Sequence, residues 1–286
     1  MSKPTKAKTE AARQKAYWDA LSATYHKITR INSRDFHYGP QIPGERKLKI
    51  LPPLRRGMTA LELGCGAAQN TLYLSRKGLQ CTALDVSSEQ LCHAAKLAKA
   101  ENLAPTFLQG SIEDFPRLLA DSPPFDFIHS SHAFEFVDDP CACIANIARF
   151  LKPGATFMLS TVHPVYNGDW VECENEWGRF LKNYFMPEDD CRDDFGDTVI
   201  RSRAYPVSAW FGWLRGAGLD VTQLLEPRAI FKRAPYTSRD WAENYEGELD
   251  AIPSTIIFIA EKIKTGLTGL TRLKKSIPQP CKNQSC

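Results

Sequence analysis

Residues 60–70 read ALELGCGAAQN, and the reading of this stretch decides the fold. Ala60–Leu63 is short, apolar and closed by glycine, the pattern of a strand buried in a parallel sheet. Gly64 breaks the strand, and helical periodicity resumes over Thr71–Lys77. A strand that ends in Gly-x-Gly and runs into a helix makes a tight turn whose backbone can approach a ligand closely. Asp85 stands twenty-one positions after Gly64, at the end of the next predicted strand. An acid at that distance suits the hydroxyls of a ribose. The dinucleotide fingerprint wants a third glycine where this chain has Gln69, which argues against a nicotinamide or flavin site.

The bulk properties narrow the class. A chain of 286 residues can hold one large α/β domain with insertions, or two small ones. A net charge of +3 is too small to indicate a nucleic-acid partner. No apolar run approaches the ~20 residues of a membrane span. Met1–Ala16 lacks the apolar core of a secretion signal, so a cytoplasmic protein without a membrane partner is expected. The nine cysteines are scattered without metal-ligand spacing, which suits reduced thiols and predicts no metal.

Outward from residues 60–70 the chain alternates strand and helix. Glu10 to about Ile31 has helical periodicity, residues 32–44 form a Pro- and Gly-bearing loop, and Pro52-Pro53 stops a short helix. Strands are predicted at Gln80–Asp85, Pro105–Gln109, Phe125–Ser130 and Ala155–Val162. Ser87–Gln90 is a capping-box pattern for a helix reaching about Ala100, and Asp139-Pro140 starts one that ends at Leu151. Lys152-Pro-Gly154 reads as a turn. Such alternation gives βαβ units and a parallel sheet. Beyond His163 it fails: aromatic and acidic residues crowd a long irregular stretch, read as a cap over the ligand edge. A helix over 208–217 and strands at Leu219–Leu225 and Thr255–Glu261 follow; without a helical crossover the last two should be antiparallel.

Leu61–Gly66, Leu84–Ser88, Phe125–His129 and Leu151–Gly154, in that order and with suitable gaps, resemble class I S-adenosylmethionine-dependent methyltransferases, in the small-molecule, type 11-like branch. The resemblance covers roughly Glu10–Lys262, with Ala68 where the family's last glycine usually sits. It implies a doubly wound seven-stranded Rossmann-like α/β sheet with an antiparallel last strand and a helical and loop cap. The expected segments are an N-terminal helix and lid (1–45), the cofactor core (46–162), the aromatic and acidic cap (163–205), the end of the sheet (206–264) and a mobile tail (265–286). The implied cofactor is S-adenosyl-L-methionine, leaving S-adenosyl-L-homocysteine, and the partner is a small, apolar or aromatic acceptor for a monomer or homodimer.

In doubly wound sheets the ligand lies beyond the carboxyl ends of the strands, at the switch point. That gathers Gly64, Cys65, Gly66, Gln69, Asn70, Asp85, Val86, Gly110, Ser111, Ile112, Ser130 and His132 around one ligand. In the family, a tyrosine of the N-terminal helix reaches the methionine end; Tyr25 is the candidate, and Tyr38 could close over the ligand or merely pack. Gly110 or Ser111 holds the place of an acid that in the family meets the adenine. Methyl transfer is an in-line displacement that needs close alignment, dryness and a nucleophilic acceptor. His163, at the exit of the fifth strand, is the expected base, with Glu135 as the other catalytic candidate and His132 as a pocket wall. Tyr166, Trp170, Trp177, Tyr184 and Phe185 are the expected acceptor contacts. A nucleic-acid methyltransferase would want a basic face and an Asn/Asp-Pro-Pro-aromatic run where this chain has Ser130–Ala133. A protein acceptor, or a cofactor binder without turnover, stays open.

Overall fold

The computed structural model describes residues 9–167, 169–173, 176–181, 183–185, 190–192, 200–230, 232–238 and 251–264. Its elements in chain order are α1 (Glu10–Ile28), β1 (Thr29–Ile31), α2 (Glu45–Leu48), β2 (Thr59–Leu63), α3 (Gln69–Arg76), β3 (Gln80–Asp85) and α4 (Ser88–Ala100). Then come β4 (Thr106–Gln109), α5 (Phe115–Leu118), β5 (Phe125–Ser131), α6 (Pro140–Phe150), β6 (Leu151–Val162), β7 (Asp169–Cys173) and β8 (Glu176–Phe180). The chain finishes with β9 (Asp190–Arg192), β10 (Ile200–Ser202), α7 (Val207–Gly216), β11 (Leu219–Leu225), β12 (Tyr236–Ser238) and β13 (Thr255–Lys262).

Seven strands pair in the order β11-β13-β6-β5-β2-β3-β4. The five from β6 to β4 are parallel, while β13 runs antiparallel to both of its neighbours. This is the expected sheet. The chain steps outward from β2 to β4 and then returns to β5 beside β2, which puts the switch point at the carboxyl ends of β2 and β5.

Side chains on successive strand residues take opposite faces. Leu61, Leu63, Phe157, Leu159, Ile256 and Phe258 therefore pack under α6 and α7, with Ile144, Ile147, Trp210 and Leu214. Ala60, Met158, Ile257 and Ile259 face the other way and meet Phe36, Tyr38 and Ile42. The loop at 32–44 thus supplies part of the second core layer.

Four expectations change in detail. The first helix ends at Ile28, not Ile31: Thr29 is extended, and β-branched Thr29 and Ile31 pair antiparallel with Ser238 and Tyr236. The helix after the glycine turn begins at Gln69, taking in two residues that could have been caps. Lys152–Gly154 is the start of β6, not a turn; a register shift opposite Phe125–Phe127 and a φ of +79° at Gly154 absorb the irregularity. Among the described residues the 163–205 segment is not simply irregular but forms two hairpins, β7 with β8 and β9 with β10. Ile200 of β10 packs with Tyr17, Leu21 and Phe136. The acids at 174, 188, 189, 193, 194 and 197, and the tail from 265, lie outside the described residues.

Glu62 points from β2 to α3, where its Oε2 accepts the Thr71 amide at 2.9 Å and the Thr71 hydroxyl. Burial pushes its pKa up to about 8, although the Thr71 bonds oppose the shift. The folded chain then keeps a proton between about pH 4.5 and 8 that the unfolded chain releases, so Glu62 costs stability as pH rises through that window. Glu62→Gln keeps the shape without the titration. Its stability relative to the parent should rise by about 3 kcal/mol between pH 5 and pH 8, read by denaturant melts at both. A difference independent of pH would show that Glu62 does not titrate in this range.

Candidate functional site

The glycine turn leaves β2 through three residues in left-handed backbone: Gly64 (φ +72°), Gly66 (φ +52°) and Ala68 (φ +59°). The two glycines serve different ends. A side chain begun at Gly64 would collide with Ala133 Cβ, so this glycine lets the β5 exit close against the turn. A side chain begun at Gly66 would meet nothing within 4 Å. The backbone at Gly66 therefore faces open space, as a ligand cradle requires.

Asp85, at the end of β3, ties this turn to the next one. Its Oδ2 accepts the Gly66 amide at 2.7 Å and its Oδ1 accepts the Ser87 amide at 2.9 Å. Burial pushes its pKa up, while the Ser87 and Gly66 amides pull it down. Each carboxylate oxygen has two lone pairs, so one on each oxygen is left for a hydroxyl. Open backbone at Gly66 beside a carboxylate with spare acceptors fits a nucleoside.

Around this pair the predicted residues divide. Gly64, Cys65, Gly66, Gln69, Asp85, Val86, Gly110, Ser111 and Ile112 stand at the carboxyl ends of β2, β3 and β4, as expected from topology. The Cys65 thiol approaches the Gly66 carbonyl at 3.5 Å, and burial pushes its pKa well up, so it stays a thiol. Ser111 donates to Asp114 at 3.3 Å, and Ile112 Cδ1 comes within 3.5 Å of the place a Gly64 side chain would occupy. Two side chains are spent on the fold. The Asn70 carboxamide accepts the His37 amide and donates to the His37 carbonyl, both at 2.9 Å, which clamps the 32–44 loop to α3. The Ser130 hydroxyl donates to the Leu63 carbonyl at 2.7 Å.

The tyrosines are placed differently from each other. Tyr38 is fully buried, and its hydroxyl donates to Glu45 at 2.5 Å, so it packs the core and does not close over the site. Tyr25 shares a hydrogen bond with the Tyr236 hydroxyl, and the Tyr236 ring lies 5.3 Å from His37. Tyr25 thus sits on the lid side of the site.

His163 is buried with both ring nitrogens engaged. The Val165 amide donates to Nδ1 at 3.2 Å, so Nε2 carries the hydrogen and donates to Glu226 at 2.8 Å. Burial pushes its pKa down, against the pull of Glu226. Nδ1, the nitrogen with the lone pair, already receives a backbone amide, so His163 does not fit the expected role of base. His132 fits better. Its Nδ1 lies 3.5 Å from Glu135 Oε1, its Nε2 is 3.0 Å from the Thr255 hydroxyl, and the Thr161 hydroxyl donates to Glu135 Oε2 at 3.2 Å. A ring oriented by a carboxylate, with its other nitrogen on an exchangeable hydroxyl, is the arrangement of a proton acceptor. Thr255 and Glu226 carried no local sequence signal, because each acts on a residue sixty or more positions away.

The acceptor aromatics are scattered. Tyr166 is half-buried beside His163, whose carbonyl accepts its amide at 2.9 Å. Tyr184 accepts the Val207 amide at 3.2 Å, while Phe185 is 77% exposed and lines no pocket here. The side chains of Trp170 and Trp177 lie outside the described residues. Among the described residues no three His, Cys, Asp or Glu side chains are grouped to hold a metal.

Comparison with known proteins agrees with this geometry. Residues 61–159 match the family described as "Methyltransferase domain". This segment is similar to that domain over its whole matched length. The chain is 30% identical over 148 residues to a malonyl-[acyl-carrier protein] O-methyltransferase of Pectobacterium atrosepticum, covering 50% of this chain and 54% of that one. It is 34% identical over 138 residues to a ubiquinone biosynthesis O-methyltransferase of Xylella fastidiosa, covering 44% and 53%. The chain spans about half the length of the curated relatives it matches. In fold it is similar to an S-adenosylmethionine-dependent methyltransferase from Listeria monocytogenes, with a TM-score of 0.61 at 21% identity, over 77% of this chain and 98% of that one.

The two glycines of this turn should separate folding from binding. Gly64→Ala should destabilise by about 2 kcal/mol or more, from a left-handed φ combined with the clash on Ala133. Gly66→Ala should cost about 1 kcal/mol of backbone strain alone while weakening ligand binding at least tenfold. Thermal melts and calorimetry on the same preparations distinguish them, and equal stability losses would refute the division.

Proposed function

We propose that the protein transfers a methyl group from S-adenosyl-L-methionine to an oxygen of a small-molecule acceptor, releasing S-adenosyl-L-homocysteine. The observation that carries this reading is the Asp85 carboxylate bonded to the Gly66 amide beside open space, within a segment that matches the methyltransferase family. Asp85 would hold the ribose hydroxyls, Gly66 and Gln69 the methionine end, and Val86, Gly110, Ser111 and Ile112 the adenine. When bound, the cofactor supplies an electrophilic methyl group on a positively charged sulfur.

The chain's own residues supply the rest. Methylation of a hydroxyl requires that its proton be taken, and the two relatives named above are both O-methyltransferases by name. His132 takes that proton at Nε2, exchanging its contact with Thr255 for one with the acceptor, and Glu135 steadies the charge at Nδ1. His163 is assigned to structure, holding Glu226 and the start of the cap. Tyr25 and Tyr236 would close the lid side, with Tyr166 giving an apolar contact to an aromatic or otherwise apolar acceptor. The cytoplasm and a monomeric or homodimeric state suit such an enzyme; no helix among the described residues is long and apolar enough to cross a membrane.

Asp85→Ala should cost ~2–4 kcal/mol of affinity for S-adenosylhomocysteine, because a charged hydrogen-bond acceptor is lost. Unchanged calorimetric binding would reject the site. Transfer of label from methyl-labelled cofactor to a panel of phenols and carboxylic acids then tests the reaction. With an accepted substrate, His132→Ala should lower turnover by ~10²–10⁴ with cofactor affinity intact, and His163→Ala by far less. The reverse ranking would return the base to His163, and binding without transfer to any acceptor would mark a binder without turnover.

A further inference from the structure

Helix α1 touches both rims of the cofactor cleft. On one side Gln14 donates to the Phe136 carbonyl at 2.6 Å, and Trp18 meets the Phe136 ring edge-on at 5.4 Å. On the other side Lys15 donates to Ser88 at 2.9 Å, and Asp19 accepts the Ser87 hydroxyl at 2.6 Å and the Glu89 amide at 3.2 Å. The first rim follows β5 and the second follows β3, and these strands flank β2 and its glycine turn. Residues 14 and 18, and 15 and 19, are successive-turn neighbours on a helix, so adjacent stripes of α1 hold opposite sides of the opening. The helix is a strap over the carboxyl end of β2.

The strap is joined to the ribose acid through one residue. The Ser87 amide donates to Asp85, and the Ser87 hydroxyl donates to Asp19 while accepting the Gln90 amide that starts α4. Asp19, Ser87, Asp85 and Gly66 thus form one continuous hydrogen-bonded chain from the strap to the glycine turn. Asp19 is not needed to cap α4, because Ser87 already does so. What it adds is a carboxylate from another helix at the positive end of α4, a favourable place for negative charge. Burial raises the Asp19 pKa, but bonds from Lys15, Ser87 and Glu89 more than reverse this and hold it below the usual carboxylate range. The far end of α1 is fixed separately, by the Tyr25–Tyr236 hydroxyl bond, the His26–His93 stack at 3.8 Å and the pairing of β1 with β12.

We propose that Asp19 is a positioning residue, a latch that holds the strap closed over the bound nucleoside and sets the rate at which it is released. This rests on the cofactor reading proposed above. A helix bound to both rims must lift before a ligand on the glycine turn can leave, and its free end is the end that Asp19 and Gln14 hold. Asp19 contacts neither reacting atom nor cofactor; it acts through Ser87 on Asp85.

The test compares Asp19→Ala and Asp19→Asn with the parent protein, using S-adenosylhomocysteine as the probe. Loss of one charge-assisted contact is worth about tenfold, so Asp19→Ala should release the probe about ten times faster in stopped flow, with association unchanged or quicker. Asp19→Asn keeps an acceptor for Ser87 and Glu89 but no charge, and should recover part of the loss. In protein without ligand, Asp19→Ala should speed amide exchange over residues 10–28 and leave β2, β6 and β13 untouched. Unchanged release, or exchange raised evenly through the sheet, overturns the latch. A parent protein that binds no S-adenosylhomocysteine overturns the cofactor reading and the latch together, whereas normal binding with an indifferent Asp19→Ala overturns the latch alone.

Discussion

One buried carboxylate, shared between two backbone turns, sets the geometry of this site. Asp85 takes an amide from the turn after β2 and another from the turn after β3. Taking an ionised carboxylate out of water costs several kcal/mol, and charge-assisted bonds of ~1.5–3 kcal/mol each offset much of this. Two such bonds leave the group short of its full set of partners, which is why burial still raises its pKa. A ligand that brings hydroxyls supplies what is missing. The same arrangement dictates the glycine at 66, because a left-handed residue must turn its amide toward Asp85 while leaving its other side bare.

The second constraint is the loop at 32–44, which takes the place of a layer of regular structure on one face of the sheet. Glu45 receives the Tyr38 hydroxyl and the Ile50 and Leu51 amides, and Ser160 donates to the Tyr38 carbonyl. With Asn70 gripping His37, the loop is fastened to α2, α3 and β6 through His37 and Tyr38. Gly39 then passes so close to His132 and Thr255 that any side chain there would collide with the imidazole. The loop is a fixed wall of the site, and His132 owes its orientation partly to the absence of a side chain at position 39.

The sheet was legible because its signals are local. Apolar runs ended by glycine, an acid at the next strand end and Asp-Pro before a helix each declare an element within a few residues, and all of them reappear in the structure. For the proposed site, what the sequence conveys is position at a strand end, as at Gly66 and Asp85. A side chain's role was not legible where its partner is distant in sequence. His163 looked available until Glu226 and the Val165 amide are seen to occupy it. Asn70 looked like a ligand contact or a cap until its amide is seen on His37, and β1 has no meaning without β12, more than two hundred residues away. An aromatic in a loop gives no sign of which way it faces, which is why Tyr38 could be read either as closing over the ligand or as packing.

Two further histidines, His37 and His129, are buried. Burial pushes both His37 and His129 down to about 3, so neither carries charge near neutral pH. His129 lies flat against Phe127 at 5.1 Å and belongs to the core, whereas His37 stands at the lid and feels the charge of His132 as a further push downward. Neither ring therefore places a fixed positive charge beside His132. His132 is the ring with a carboxylate beside it, at 3.5 Å, while His37 Nδ1 is buried without a partner. The neutral His37 adds no competing charge beside the ring that faces Glu135.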